Sequence, residues 1–380
     1  MPHRPTRRTC LLATAGLVLA AKGLGAKAGA AQGADASLAR SAAEAGRYYG
    51  SAVRIDRIAA DDQYREAILR ECAYLTPESE MKWDAIERIR GEPSLAPMDD
   101  LMSFARANGM KVRGHTLLWH RSVPDWAEDF LLEHKDWSPI RNYFSAVISR
   151  YGDAIGQWDV VNEPIDTGHR MDGLRESVFL SAFGPDYIRR ALEDARMLAP
   201  RASLMINEYG LDYDFPVERD RRYLFLKLLE GLRSAGAPLD AVGVQGHLDL
   251  AKGPFSQKVF GDFLQEIANL GLEIVITELD VKEYEYRASA EERDRRVAEE
   301  VKRYLDVAFA QPAVKGLTSW GLSDRYSWLE ITEEDYARYP GAWQEGDGPG
   351  VNRGLPLDAS MRRKPVYRAI EAAFRRQPLG

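Results

Sequence analysis

The stretch IGQWDVVNEP (residues 155–164) sets a pattern that recurs along the chain. Its apolar, β-branched run reads as a strand, and Pro164 forbids continuation as helix or ladder. The strand therefore stops with Asn162 and Glu163 at its end. Similar runs recur as YYGSAV (48–53), AYLTPE (73–78), KVRGHTLLW (111–119), SLMINEY (203–209), DAVGVQGH (240–247), EIVITELD (273–280) and VKGLTSWG (314–321). Between them, residues 98–108, 138–150, 186–198, 217–235, 256–270, 289–310 and 363–375 carry apolar side chains at three- and four-residue spacing, the helical period. Eight alternating units, with strands too apolar for a half-exposed sheet, predict an α/β fold: a single closed parallel (β/α)8 TIM barrel. An open doubly wound sheet would want a glycine-rich phosphate cradle after a strand, and none follows any of these runs.

The chain has 380 residues and is 45% hydrophobic, enough for one such barrel with insertions. Residues 1–34 differ from the rest: Arg4, Arg7 and Arg8 precede the apolar LLATAGLVLAA, and small-x-small sites follow. That pattern predicts an export signal, with the Arg7–Arg8 pair suggesting the twin-arginine route. The catalytic barrel is expected over residues 45–376, in a soluble protein that ends in the periplasm or outside the cell. Removing the five basic residues of the leader from the total of 51 leaves 46 against 58 acidic ones, a net charge of about −12 that disfavours nucleic acid as a partner. Cys10 lies in the leader, so Cys72 is left as a lone, buried, small hydrophobe, and the chain is expected to be a monomer without a disulfide.

In a barrel of this kind, chemistry belongs at the carboxyl ends of the strands. After the first strand those ends carry Glu78 and Lys82; His115, Trp119 and His120; Asn162 and Glu163; Glu208 and Tyr209; Gln245 and His247; Glu278 and Asp280; and Trp320. A single strand-end acid is often a surface cap, but so many acids, amides and imidazoles in one mouth would be costly to desolvate without a ligand or a shared network. Glu163 and Glu278 end strands four and seven and so face each other. Paired carboxylates suit glycoside hydrolysis, in which a protonated one donates to the leaving oxygen while an ionised one attacks the anomeric carbon or activates water. The indoles suit the apolar face of a sugar. No cofactor and no metal are expected: His115, His120 and His247 lack His-x-His or HExxH spacing, and there is no Gly-x-Ser-x-Gly elbow.

The motifs TPESEMKWD (76–84), VRGHTLLWH (112–120), WDVVNEP (158–164), INEYG (206–210), VGVQGHL (242–248), ITELD (276–280), TSWGLSDRYSWL (318–329) and GLPLD (354–358) occur in an order that resembles glycoside hydrolase family 10 endo-β-1,4-xylanases. The resemblance covers residues 45–375. It implies retaining hydrolysis of xylan or xylo-oligosaccharides, with Glu163 as acid/base and Glu278 as nucleophile. It further implies that Asn162 holds a sugar 2-hydroxyl and that His247, Asp280 and Gln245 support the nucleophile. Glu208 and Tyr209 would border the leaving-group side; Glu78, Lys82, His115 and Trp119 would grip the sugars before the scissile bond, roofed by Trp320 and Trp328. Trp83, Trp126 and Trp137 have no such match and are expected to pack in the core.

The chain departs from the family at Ser79, where Asn is usual, and at Arg121–Ser122, where Ser-Gln is usual. Residues 330–353, acidic and rich in Gly and Pro, are expected to form a long loop beside the cleft. Alternatives within the class are another β-glycanase of the same clan and an enzyme confined to xylo-oligosaccharides or aryl xylosides. A non-catalytic carbohydrate-binding barrel is the alternative outside it, and would require one of the two glutamates to be replaced.

Overall fold

A computed structural model describes residues 37–253, 255–284, 288–329 and 351–376; the expected export signal lies outside them. Among these residues eight parallel strands form a ring: β1 (Tyr48–Val53), β2 (Tyr74–Pro77), β3 (Lys111–Gly114), β4 (Ile155–Asn162), β5 (Ser203–Glu208), β6 (Ala241–Val244), β7 (Glu273–Lys282) and β8 (Val314–Ser319). Each pairs with the next, and β8 pairs with β1 from Tyr48 opposite Gly316 to Ser51 opposite Ser319, which closes the (β/α)8 barrel. Two short segments, Leu118–Trp119 beside β4 and His247–Asp249 beside β7, prolong the sheet at its carboxyl end.

Helices fill the return crossings, and their termini follow local chemistry. Ser289 Oγ accepts from Glu292 N to start Ala290–Ala308, Ser256 Oγ does the same for Gln257–Asn269, and Pro216 occupies the first turn of Pro216–Ser234. Shorter helices at Ile55–Ala60, Trp83–Ile86, Asp125–His134 and Val178–Phe183 lie in crossings with weaker periodicity. Cys72 caps Asp62–Glu71 and is buried. The folded core begins before residue 45: helix Leu38–Glu44 buries Leu38 and Ala42 and packs on the last helix, Pro365–Arg375. No helix among the described residues is long and apolar enough to cross a membrane.

The barrel interior changes character along the strands. Met205, Ala241 and Val275 pack with Tyr48 near the amino ends. Further along sits a buried ion pair, Arg113 with Asp159, in which Arg113 also reaches Thr76 Oγ1 (3.3 Å) and the Thr277 carbonyl (3.4 Å). Asp159 takes a second partner in His115 Nδ1 at 2.7 Å. This charged layer is the floor of the mouth.

Candidate active site

Two register irregularities aim the side chains at the mouth. Between β4 and β5, Asp159 is opposite Met205 but Asn162 is opposite Asn207, so β4 carries one extra residue. A bulge reverses which face the following residues present, and it leaves Asp159 and Asn162 both pointing into the barrel. Strand β7 carries a matching shift against β8, with Ile276 opposite Leu317 and Leu279 opposite Ser319. Thr277 and Glu278 consequently both reach interior partners. Glu163 follows the first bulge in the left-handed region, with φ of 56°, a conformation that a non-glycine residue keeps only when its surroundings hold it. Its N–H donates to Asn207 O at 2.8 Å.

One amide links the two halves of the site. Asn207 Nδ2 donates to Glu278 Oε1 (2.6 Å) and to Asn162 Oδ1 (2.7 Å), while its own Oδ1 accepts from Thr277 Oγ1 (2.7 Å). On β6, Gly243 leaves room for it; a Cβ there would overlap Asn207 Oδ1. Glu163 receives Trp119 Nε1 at 2.9 Å on Oε2, and Gln245 Nε2 at 3.2 Å and Asn162 Nδ2 at 3.4 Å on Oε1. On the opposite wall His247 stands between carboxylates, with Nδ1 2.8 Å from Asp280 Oδ1 and Nε2 3.2 Å from Glu278 Oε2. Trp328 Nε1 donates to the other Asp280 oxygen at 2.6 Å.

The electrostatics separate the groups. Burial opposes ionisation of Glu278, but the His247 hydrogen bond and the positive charge at His115, His247 and Arg113 outweigh it and bring the carboxyl down to about 2. Burial also opposes the imidazolium form of His247; Asp280 and Glu278 override that and hold its pKa well above the ordinary 6.5. His120 goes the other way: burial, then the neighbouring guanidiniums of Arg175 and Arg121, lower it to about 4. The site thus pairs an ionised Glu278 with an imidazolium on one side and sets a neutral imidazole near Glu163 on the other.

A cleft of about 580 Å³ opens over this network. Of the residues singled out from sequence, Glu78, Lys82, His115, Trp119, Asn162, Glu163, Tyr209, Gln245, His247, Glu278, Trp320 and Trp328 line it. Burial raises the Glu78 carboxyl even though Arg57 Nη1 donates to it at 3.1 Å. The Lys82 ammonium lies 4.7 Å from the centre of the Trp119 ring. Trp328 is half-exposed, and its ring meets His247 edge-on at 5.4 Å.

The expectations for Glu208 and Gln245 are corrected. Glu208 does not border the cleft: it is fully buried behind β5, where Ile165 N and Tyr209 N donate to its two oxygens, and burial raises it to about 8. Strand alternation is the reason, because Asn207 faces inward and Glu208 must face the helices. Gln245 gives its amide to Glu163 rather than to the nucleophile's network. Ser122 is buried and off the cleft, whereas Ser79 and Arg121 line it. Asp280 braces His247 and Trp328 from behind. Trp83 stacks on Tyr143 at 5.0 Å, Trp137 donates to Asp194, and half-buried Trp126 donates to the Glu87 carbonyl. Among the described residues, no group of three or more His, Cys, Asp and Glu is arranged to hold a metal. Of the expected loop 330–353, only residues 351–353 are described: Asn352 is buried and binds the Val281 carbonyl, and Arg353 pairs with Asp294.

Sequence reading missed Asn207, Asp159, Arg113 and Arg175. The first is one residue before the glutamate that drew notice in INEYG, and period-2 counting from Met205 would have placed it inward. The others are a buried pair and a loop arginine, which carry no spacing signal.

The family model for glycosyl hydrolase family 10 matches residues 37–373. Endo-1,4-beta-xylanase B of Thermotoga neapolitana is 31% identical over 316 residues, covering 81% of this chain and 82% of its own. Endo-1,4-beta-xylanase 1 of Humicola insolens is 32% identical over 352 residues, 91% of this chain and 76% of its own. Xylanase 10B of Thermotoga petrophila, solved in complex with xylobiose, superposes with a TM-score of 0.76 at 30% identity, over 90% of this chain and 97% of that one. With the barrel, the facing glutamates and these matches together, the chain belongs to glycosyl hydrolase family 10.

Proposed function

We propose that the protein is an endo-acting β-1,4-xylanase that hydrolyses xylan or xylo-oligosaccharides with retention, Glu278 being the nucleophile and Glu163 the acid/base. The observation that carries this reading is the shared cleft of two carboxylates on facing strands, one held down to about 2 and the other ringed by donors from Trp119, Gln245 and Asn162. The names of the related proteins support the substrate.

In the first step Glu278 attacks the anomeric carbon and Glu163 gives its proton to the departing glycosidic oxygen, forming a glycosyl ester on Glu278. Glu163, now ionised, takes a proton from water, which attacks the same carbon and releases the sugar and Glu278. Asn162 holds the 2-hydroxyl, a contact that strengthens as the ring flattens. Its carbonyl is fixed by Asn207, the amide that also binds the nucleophile. Imidazolium at His247 keeps Glu278 ionised before attack. Glu78, Lys82, His115 and Trp119 serve the glycone, under Trp320 and Trp328, while Tyr209 serves the leaving group. The protein acts as a monomer without cofactor, and residues 1–34 direct its export to the periplasm or medium.

Reducing-sugar release from xylan, cellulose and xylobiose is the test. Wild type should release sugar from xylan and not from cellulose, and Glu278→Gln should abolish turnover while leaving the fold intact. A Gln variant that cleaves xylan near the wild-type rate would remove the nucleophile assignment.

A further inference from the structure

Arg175 reaches the acid/base residue from outside the barrel. After Pro164 the chain doubles back as a short antiparallel pair, with Arg175 N donating to Pro164 O (2.7 Å), Asp166 N to Gly173 O (2.9 Å) and an isolated bridge joining Ile165 and Leu174. The turn returns the Arg175 side chain to the cleft, where it is 13% exposed. Its Nε donates to the backbone carbonyl of Glu163 at 2.9 Å, and its Nη2 to Ile165 O at 2.7 Å and to Tyr209 Oη at 3.0 Å.

These contacts answer how Glu163 keeps its left-handed backbone. Its N–H is held by Asn207 O from β5 and its carbonyl by Arg175, so both peptide groups flanking the carboxyl are tied. The planar guanidinium has enough donors in a fixed fork to hold two carbonyls and a phenol together, which a lysine ammonium does not reproduce. On the reading of Glu163 as acid, we propose that Arg175 is a positioning residue for proton delivery. It locks the Glu163 peptide and the Tyr209 ring in one register, so that the carboxyl meets the departing oxygen at the edge of the leaving-group site. No bond to Arg175 forms or breaks; the proton passes from Glu163 to the glycosidic oxygen.

A residue that positions the acid matters only for leaving groups that need a proton. Arg175→Gln, Arg175→Lys and a Glu163→Ala reference are to be compared on phenyl xylobioside and on 2,4-dinitrophenyl xylobioside, which set an aromatic ring beside Tyr209 alike and differ in whether the leaving oxygen needs a proton. Competent sites are counted by the dinitrophenolate burst from the 2-deoxy-2-fluoro analogue of the second glycoside, so that misfolded protein drops out. Per competent site, Arg175→Gln should lose about 10²-fold in kcat/KM on the phenyl glycoside and less than about threefold on the dinitrophenyl glycoside. Arg175→Lys should show the same contrast at smaller amplitude, and it decides the matter if the Gln variant yields no competent sites. Equal losses on both substrates, or none on the phenyl glycoside, would overturn the proposal. Equal losses in Glu163→Ala would instead remove the acid assignment on which it rests.

Discussion

Glu278 is ionised despite the cost of its own burial because the barrel floor supplies positive charge: Arg113 and His115 beneath, His247 beside it. The 13C chemical shift of the Glu278 side-chain carboxyl, followed against pH, reports this group separately from Glu78 and His120, which titrate in the same cleft. It should stay at the ionised value from about pH 5 to about pH 3 and move only toward pH 2; a midpoint near the ordinary 4.5 would contradict the electrostatics. Stability carries the same sign. The lowered folded value means that the contribution of Glu278 is present above 4.5 and lost as pH falls through about 2. His247 acts oppositely: its raised value gives stability that is complete below 6.5 and lost as pH rises through its elevated folded value. The places of Glu163 and Glu278 in the cleft were legible because each ends an apolar run at the mouth. Asn207 was hidden by the neighbouring glutamate, and Arg175 because its function depends on a chain reversal rather than on spacing.

At the level of elements, the eight strand runs read from the sequence coincide with β1–β8 within a few residues, since buried parallel strands demand continuous apolar stretches. The bulges in β4 and β7 were not legible. Each shows only as a register shift against the neighbouring strand, and single-strand patterns do not record register between neighbours. Strand β6 shows the tolerance of this layer. Gly243→Ala would drive a methyl group into Asn207 Oδ1 and Thr277 Cγ2. It should cost about 1–3 kcal/mol in urea unfolding and depress kcat, because the displaced amide serves both Glu278 and Asn162. Gly231 in helix Pro216–Ser234 is the contrast: exposed, with nothing near its missing Cβ. Gly231→Ala should stabilise by about 0.5–1 kcal/mol and leave kcat unchanged. If both substitutions act alike, the close approach at Gly243 is not the cause.

Across the whole molecule, the barrel closes twice, once by the β8–β1 ladder and once by a polar tie between the first and last helices. Glu71 is fully buried and accepts from Leu38 N (3.1 Å), Tyr367 Oη (2.8 Å) and Arg363 (2.8 Å). Burial opposes its charge, yet these donors and Arg70 leave its pKa below the ordinary value. Glu71→Ala removes the acceptor of two buried donors, Leu38 N and Tyr367 Oη, and should cost about 2–4 kcal/mol, read as a lower unfolding midpoint, with kcat per folded molecule unchanged. Full activity loss in the folded state would tie this end of the barrel to the chemistry instead. Both termini of the folded unit are thus part of its core, which the sequence reading, beginning at residue 45, placed too late. Trapping the glycosyl ester identifies the nucleophile at the mouth. Protein incubated with 2,4-dinitrophenyl 2-deoxy-2-fluoro-xylobioside is digested and the labelled peptide sequenced by mass spectrometry. One 2-deoxy-2-fluoroxylobiosyl group per chain, esterified to Glu278, is the expected result; a label on any other residue, or no covalent adduct while xylan is still cleaved, would rule Glu278 out as the nucleophile.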